Sequence, residues 1–322
     1  MGASTAIDPE LVARFKKALD RLNPDGGKLG LAVSGGPDSM AMLLLAQETI
    51  PGQFEVATVD HGLRPEAKDE CALVVAACEE RGVPCEVLSV TVGEGNVQAK
   101  AREARYEALG DWLARKSHAA VATAHHADDQ AETVLMRLNR GSGLAGLAGI
   151  RERTVVSLYD VALDLIRPLL SFRRIELETL VRGSKVSFVD DPSNADLAYE
   201  RVRVRQRLGE ASWLDPTAIA HSAQVLGEAA GAMEAWVRVL WHERMKMDKA
   251  SLRFRPTRLA YIDRELAVRA IRVRTGKSVD GGDVARLVDR LQGGENANLS
   301  GVLVTVEGDD WVFRPEPPRR TG

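Results

Sequence analysis

Leu29-Gly-Leu-Ala-Val33 runs directly into Ser34-Gly35-Gly36-Pro37-Asp38-Ser39, and that into Met40-Ala-Met-Leu-Leu-Leu-Ala46. The first run is short and apolar, as a buried strand is. The last predicts an apolar helix over residues 40–47. Between them, glycines let the backbone approach a ligand, and a helix N-terminus offers unpaired N–H groups to an anion. Ser34 and Ser39 add hydroxyl groups. An ordinary strand–helix turn with a capping Ser or Asp explains one cap. It does not explain SGG and DS together at one junction. The stretch is not a Walker A loop, because no G-x-x-x-x-G-K-[ST] occurs.

Outward from this junction the pattern repeats. Strands over residues 54–60, 85–90 and 119–124 alternate with helices over 67–81, 96–117 and 128–139. Such alternation predicts an α/β fold: a doubly wound, mostly parallel sheet with helices on both faces. Ligands then bind beyond the C-terminal ends of the strands. The polar clusters fall there: SGGPDS after the first strand, Asp60-His61-Gly62-Leu63-Arg64 after the second, and His125-His126-Ala-Asp128-Asp129 after the fourth. Residues 141–149 read as a glycine-rich loop. Gly141-Ser-Gly-Leu-Ala-Gly146 fits G-x-G-x-x-G but follows a helix, so it is not a dinucleotide fingerprint. A helix over 172–182, the polar DDPSNAD and an arginine-rich stretch come next. Asp215-Pro216 reads as a linker. Helices over 217–246, 256–275 and 282–292, then a hairpin of 299–306 and 311–314, make a smaller α+β domain. The expected division is 1–214 and 215–322, which suits 322 residues at about 150 per domain.

The composition excludes several classes. The longest apolar run, Met40 to Ala46, falls short of the roughly 20 residues of a membrane span. No apolar segment follows a basic start, so no secretory leader is expected. Cys71, Cys78 and Cys85 cannot close a disulfide framework, which points to reducing cytoplasm. The formal net charge of −3 hides an asymmetry. Residues 1–150 hold 15 Lys and Arg against 21 Asp and Glu, whereas the remainder holds 28 against 25. A basic back half is a weak pointer to a polyanion.

Other motifs carry chemistry at their spacing. Arg102 and Arg105, three apart on a helix, share a face and could hold phosphate or carboxylate, although Glu103 and Glu107 could equally pair with them. Asp129 and Glu132 share a helix face and could hold Mg²⁺ or an ammonium group. A zinc site there lacks a closing ligand pair. Arg201, Arg203, Arg205 and Arg207 alternate with Val and Gln. As a strand they form one basic stripe, as a helix two i, i+4 pairs, and either way they are candidates for nucleic-acid phosphates. Cys71 and Cys78 read as core packing.

SGGPDS resembles the pyrophosphate-binding loop of the N-type ATP pyrophosphatases. LAVSGGPDSMAMLLL, VDHGLRPEA, NVQAKAREARYEAL, TAHHADDQAETVLMRLNRGSGLAGLAG, IRPLL and DDPSNAD, in this order, resemble the bacterial tRNA(Ile)-lysidine synthase family over residues 29–207. Three positions depart from its pattern: Gln98, where Glu is frequent, and Val202 and Val204, where Asn and Ile are usual.

The resemblance implies an adenine nucleotide α-hydrolase-like fold and a ligase forming a C–N bond. ATP would adenylate the C2 oxygen of the wobble cytidine of tRNA(Ile) with a CAU anticodon. Free L-lysine would then displace AMP to leave lysidine. It implies Ser34, Gly35, Gly36, Pro37, Asp38, Ser39, Asp60 and His61 at ATP, and Asp38 at Mg²⁺. Asp38, Asp129, Glu132, Arg102 and Arg105 would be catalytic, and Arg201, Arg203, Arg205 and Arg207 would lie at tRNA. The C-terminal domain would orient the tRNA. Zinc, an iron–sulfur cluster and a membrane are not expected, and a homodimer is an admissible assembly. tRNA thiolation, the nearest alternative, normally needs paired cysteines, and no C-x-x-C occurs. A non-catalytic tRNA-binding protein would not need intact SGGPDS and DDQAE.

Overall fold

The alternating strands and helices of the first half form the expected parallel sheet. The computed structural model describes residues 7–62, 66–93, 95, 97–158, 161–190 and 196–317. The chain divides into two compact units, Met1–Gly227 and Glu228–Gly322.

In the first unit α1 (Pro9–Leu22) precedes β1 (Leu29–Ala32), α2 (Pro37–Thr49), β2 (Phe54–Asp60), α3 (Glu66–Glu80), β3 (Cys85–Ser89) and α4 (Val97–Lys116). Then follow β4 (Ala120–Ala122), α5 (Ala127–Asn139), α6 (Leu144–Leu147), β5 (Arg153–Leu158), β6 (Val161–Ile166), α7 (Arg174–Gly183) and α8 (Glu200–Glu210). α9 (Pro216–Arg244) has residues in both units. The sheet order is β3-β2-β1-β4-β6-β5, parallel except for the antiparallel edge pair of β5 and β6. From β1 the chain winds outward through β2 and β3, then returns to place β4 on the other side of β1. That reversal opens a crevice beyond the carboxyl ends of β1 and β4. The loops SGGPDS and Thr123–His126 leave the sheet there.

Two apolar layers cover the sheet. One gathers α1, α2 and α7 around Phe15, Met40, Leu43, Phe172 and Val181. α2 is buried from Ser39 through Ala46, as expected for a helix that is apolar all round. The other layer is α4, with Trp112 and Leu109 packed on Val121, Leu163 and Leu165. Gly30 exists for this contact. A Cβ there would lie 2.3 Å from Trp112 Cζ3, and a fully buried indole has nowhere to move. We expect Gly30→Ala to cost about 1–3 kcal/mol as overpacking and to lower the melting temperature by roughly 2–4 °C per kcal/mol. An unchanged melting temperature would show that the sheet and α4 can separate freely.

The second unit holds β7 (Lys246–Met247), β8 (Leu252–Phe254), α10 (Ala260–Thr275), α11 (Gly281–Gln292), β9 (Ala297–Leu299), β10 (Val302–Glu307) and β11 (Asp310–Pro315). Its sheet, ordered β7-β8-β11-β10-β9, is antiparallel. Phe254 lies between Trp311 and Phe313, with ring centroids 5.7 Å apart in each pair, under a layer of Leu266, Ile271, Leu287 and Leu291. The hairpin turn is tighter than expected, because β10 and β11 pair through Glu307 and Asp310. The chain reverses through Gly308, at φ +63°, and Asp309. β5, β6, β7, β8 and β9 were not among the expected strands, since Leu299 ends β9 and the expected strand over 299–306 is β10, and the loop over 141–149 contains the single turn α6. Among the described residues no helix is long and apolar enough to cross a membrane.

Candidate active site

The SGGPDS loop is braced from within. Gly35 takes φ +85°, which only glycine adopts without strain, and its carbonyl accepts the Val189 N–H at 2.9 Å. Ser39 Oγ accepts the Ser34 N–H at 3.1 Å and donates to the Gly36 carbonyl at 2.9 Å. Ser34 Oγ lies 3.3 Å from Ser39 Oγ. Gly36 caps α2, Pro37 fills its first turn, and no side chain caps the helix. The first-turn N–H groups are therefore left for an anion, with the positive end of the helix dipole behind them.

A cavity of about 430 Å³ opens at this point, within the roughly 300–1,000 Å³ of small-molecule sites. Ser34, Gly36, Asp38 and Ser39 line one wall, Thr58, Val59 and His61 another, and Thr123, His125 and Asp129 a third. Arg105, Tyr106 and Leu109 of α4 and Arg201 of α8 also line it. Loops beyond three strands and the side chains of α4 and α8 thus share one crevice. Asp60 ends β2, and its Oδ1 accepts the Gly62 N–H at 2.9 Å. Leu63, Arg64, residues 191–195 of the DDPSNAD segment and the side chain of Gln98 lie outside the described residues.

Asp38 Oδ1 is buried without a hydrogen-bond partner, and its Oδ2 is 3.4 Å from His126 Nε2. His126 caps α5. Its Nδ1 accepts the Asp129 N–H at 3.3 Å, and Asp129 Oδ2 accepts the His126 N–H at 3.1 Å. The ring proton therefore belongs on Nε2, between Asp38 and Asp129, whose Oδ2 is 3.5 Å away. Burial pushes the His126 pKa down. The Asp38 hydrogen bond and the charges of Asp129, Asp38 and Asp128 outweigh it and hold the pKa above the ordinary value.

No group of three or more His, Cys, Asp or Glu that could hold a metal ion occurs among the described residues. Mg²⁺ needs no such cage. It is usually held by one or two carboxylates together with substrate phosphates and water. The orphaned Asp38 oxygen beside the phosphate-binding turn fits that donor set.

Glu132 is wholly buried. Its two oxygens each accept a guanidinium Nε at 2.6 Å, one from Arg201 and one from Arg205. Arg201 Nη2 also reaches Asp129 Oδ1 at 2.9 Å. The arginine-rich stretch is therefore a helix with two faces. Arg201 and Arg205 turn inward onto the carboxylates. Arg203 donates to the carbonyls of Leu197 and Ala198, and Arg207 pairs with Glu210 in solvent. Asp129 is held below the usual carboxylate range. Burial opposes this, but the charges of His126, Arg201 and His125 prevail. Asp128 turns away to the Arg173 guanidinium at 3.1 Å and the Arg174 N–H at 2.7 Å.

Arg102 and Arg105 both lie over the Tyr106 ring, at 4.6 and 5.5 Å from its centroid, while Glu103 pairs with Lys100. Only Arg105 of the two lines the cavity. Tyr106, from the NVQAKAREARYEAL stretch, and Cys71 also line the cavity, where only the tertiary structure brings them together.

His125, 3.0 Å from Thr123 Oγ1 through Nδ1, is pushed down to about 4 by burial and by Arg167, Arg201 and Arg105, against the pull of Asp129. A depressed histidine pKa stabilises the fold fully above the unfolded value of about 6.5. That contribution disappears as pH falls through 4. We expect the His125 imidazole ¹⁵N shifts to titrate near pH 4. A midpoint near 6.5 would contradict the burial and the arginine field described here.

Residues 7–212 match the family model described as PP-loop domain. The chain is 43% identical over 314 residues to tRNA(Ile)-lysidine synthase of Novosphingobium aromaticivorans, covering 96% of this chain and 95% of that protein. It is 40% identical to the protein of the same name from Zymomonas mobilis, covering 97% and 96%. The chain belongs to the tRNA(Ile)-lysidine synthase family. Lysidine synthases are ligases that modify tRNA with an ATP-binding PP-loop domain, and the matched residues include the braced SGGPDS turn. Among solved structures, the U34-tRNA thiolase NcsA of Methanococcus maripaludis with its [4Fe-4S] cluster aligns with TM-score 0.54 at 20% identity, over 68% of this chain and 81% of that one. That likeness concerns the fold alone. In this chain Cys71 and Cys78 are buried and Cys85 half-buried.

Proposed function

We propose that the enzyme uses ATP to adenylate the C2 oxygen of the wobble cytidine of tRNA(Ile) with a CAU anticodon. It then joins the ε-amine of free L-lysine to C2. Diphosphate leaves in the first step and AMP in the second. The observation that carries this reading is one cavity offering both an anion-binding turn and an ionised carboxylate, Asp129.

Gly35, Gly36 and Pro37 shape the turn, and the first N–H groups of α2 hold the departing diphosphate, braced by Ser34 and Ser39. Asp60 and His61 flank the nucleotide. Asp38 would hold Mg²⁺, which when bound stabilises charge developing on the phosphate oxygens. Asp129 anchors the lysine ammonium and accepts its proton, because attack requires the neutral amine. Glu132, enclosed by Arg201 and Arg205, acts through them as a positioning residue. Arg105 and Arg102 offer cations to the amino-acid carboxylate or a phosphate. Arg203 and Arg207, on the outward face of α8, suit the tRNA backbone, and residues 215–322 orient the tRNA. The setting is the cytoplasm.

The test is incubation with ATP, lysine and the tRNA transcript, reading AMP and lysine incorporation together. Equal, lysine-dependent yields of both are expected. AMP released without any need for lysine would remove this reading and leave other adenylating chemistry.

A further inference from the structure

Cys78 lies in the last turn of α3, and Cys85 opens β3. The turn between them is tight. The Cys78 carbonyl accepts the Arg81 N–H at 3.0 Å and the Val83 N–H at 2.9 Å. The Val56 N–H donates to the Pro84 carbonyl at 2.8 Å, which sets Cys85 opposite Val56 of β2. Cys78 is fully buried and Cys85 half-buried against one apolar group that includes Val56, Val74, Ala77 and Val83. Backbone turn and packing thus bring two thiols of distant helical and strand positions to one place.

For each of these thiols the strongest influence is the other, met as a hydrogen-bonding partner. The Arg81 guanidinium donates to the Ala77 carbonyl at 2.8 Å and adds positive charge beside Cys78. Cys85 and Arg81 together outweigh burial and hold the Cys78 thiol below its ordinary value. The Cys78 sulfur, then burial, push Cys85 up. The first proton therefore leaves the pair readily, since the remaining S–H donates to the thiolate, and the second is hard to remove.

Cys71 stands apart. Its Sγ accepts the Thr58 hydroxyl at 3.6 Å, and burial pushes it up. Seven residues along α3 set it roughly 10 Å from Cys78, beyond the Cα separation of about 7 Å that a disulfide tolerates. Across the sheet, Thr58 is partnered by Val87 and not by Cys85.

We infer that Cys78 and Cys85 form a redox-active dithiol that a hydroperoxide closes to a disulfide, tying the end of α3 to the start of β3 while Cys71 stays a free thiol. The thiolate of the pair attacks one oxygen of hydrogen peroxide. An S–O bond forms, the O–O bond breaks and water leaves. The second sulfur then attacks the first, an S–S bond replaces the S–O bond, and a second water leaves. Two thiols and one peroxide give one disulfide and two waters. A thiol reductant reverses the bond by exchange, as suits a transient disulfide in a reducing setting. The bond forms at the amino ends of β2 and β3, whereas the cavity opens at the carboxyl ends of the strands.

The experiment treats the whole reduced protein, freed of reductant, with hydrogen peroxide, and reads intact mass, free thiols and a non-reducing digest. Two of the three cysteines should lose their thiols, with two hydrogens lost and no oxygen gained. The digest should join the peptides of Cys78 and Cys85, and dithiothreitol should restore both thiols. Cys71 should remain open to alkylation once the oxidised protein is denatured. The melting temperature should rise by roughly 4–8 °C, the scale for closing a short loop in a unit of this size. ATP binding should be unchanged. Cys85→Ser, at the half-buried position, should abolish the cross-link and the rise, and Cys71→Ser should leave both in place. If Cys85→Ser does not fold, the digests of the wild type and Cys71→Ser decide the matter.

Three thiols that survive peroxide, sulfinic acid in place of a cross-link, or a bridge to Cys71 would each overturn the assignment. So would a melting temperature lowered by oxidation, which would mean a bond made against the fold. ATP binding lost on oxidation and regained with dithiothreitol would overturn the separation of the bond from the cavity.

Discussion

Asp38→Ala is expected to lower kcat for AMP release by about 10²–10³ or more, the scale for removing one electrostatic contributor at a phosphoryl or acyl centre. It should leave the fold nearly intact. Asp38 Oδ1 has no hydrogen-bond partner, and Oδ2 has only a 3.4 Å contact with His126. The stability at risk is that contact plus an acid in the first turn of α2, which is worth about 0.3–1 kcal/mol near a helix N-terminus. Steady-state kinetics together with a thermal melt separate the two effects. A variant that melts like the wild type and still turns over at its rate would remove Asp38 from the chemistry.

Glu132→Ala should do the opposite and damage the fold first. Its carboxylate is wholly buried, and it is the shared acceptor for Arg201 Nε and Arg205 Nε, both at 2.6 Å. Deleting one partner of a buried pair costs about 3–5 kcal/mol because the charge left behind stays unpaired. Here the arginine side chains are 41% and 30% exposed. Water can reach them, and roughly 2–4 kcal/mol is expected after that screening. The melting temperature of the first unit should fall by roughly 5–12 °C. Removing Arg205 as well should cost less than the sum of the two single changes, because the second change removes a charge already stranded. Additive losses would show that Glu132 and Arg205 do not depend on each other. Activity should fall too, since α8 carries Arg201 into the cavity.

The strand–turn–helix at residues 29–46 was legible because three local rules agree there: an apolar strand, a glycine turn and an apolar helix. The histidine and aspartate cluster at 125–132 was legible because so many titratable groups in one short stretch exceed what a helix cap needs. The partners of Glu132 were not legible. Arg201 and Arg205 lie 69 and 73 residues away, and their alternation with Val and Gln fits a strand as well as a helix. Only burial against α5 resolves it, turning two arginines inward and leaving two for solvent. Asp128 shows the reverse. It stands beside Asp129 in the same polar cluster, yet one residue along α5 rotates it by about 100°, onto Arg173. Arg167 was legible only as part of IRPLL, and the burial of its Nε without a hydrogen-bond partner was not, because that is defined by what fails to surround it. β5 and β6 escaped notice because they form an antiparallel hairpin on the edge of a parallel sheet, outside the βαβ rhythm that revealed the other strands.

The central claim is that lysine becomes attached to one cytidine. The most direct measurement is mass analysis of nucleosides from tRNA(Ile) with a CAU anticodon after incubation with ATP and isotopically labelled lysine, beside the same tRNA carrying uridine at the wobble position. The account predicts a labelled lysine adduct of cytidine in the first and none in the second. Unmodified cytidine in the first, or label recovered equally from both, would contradict it.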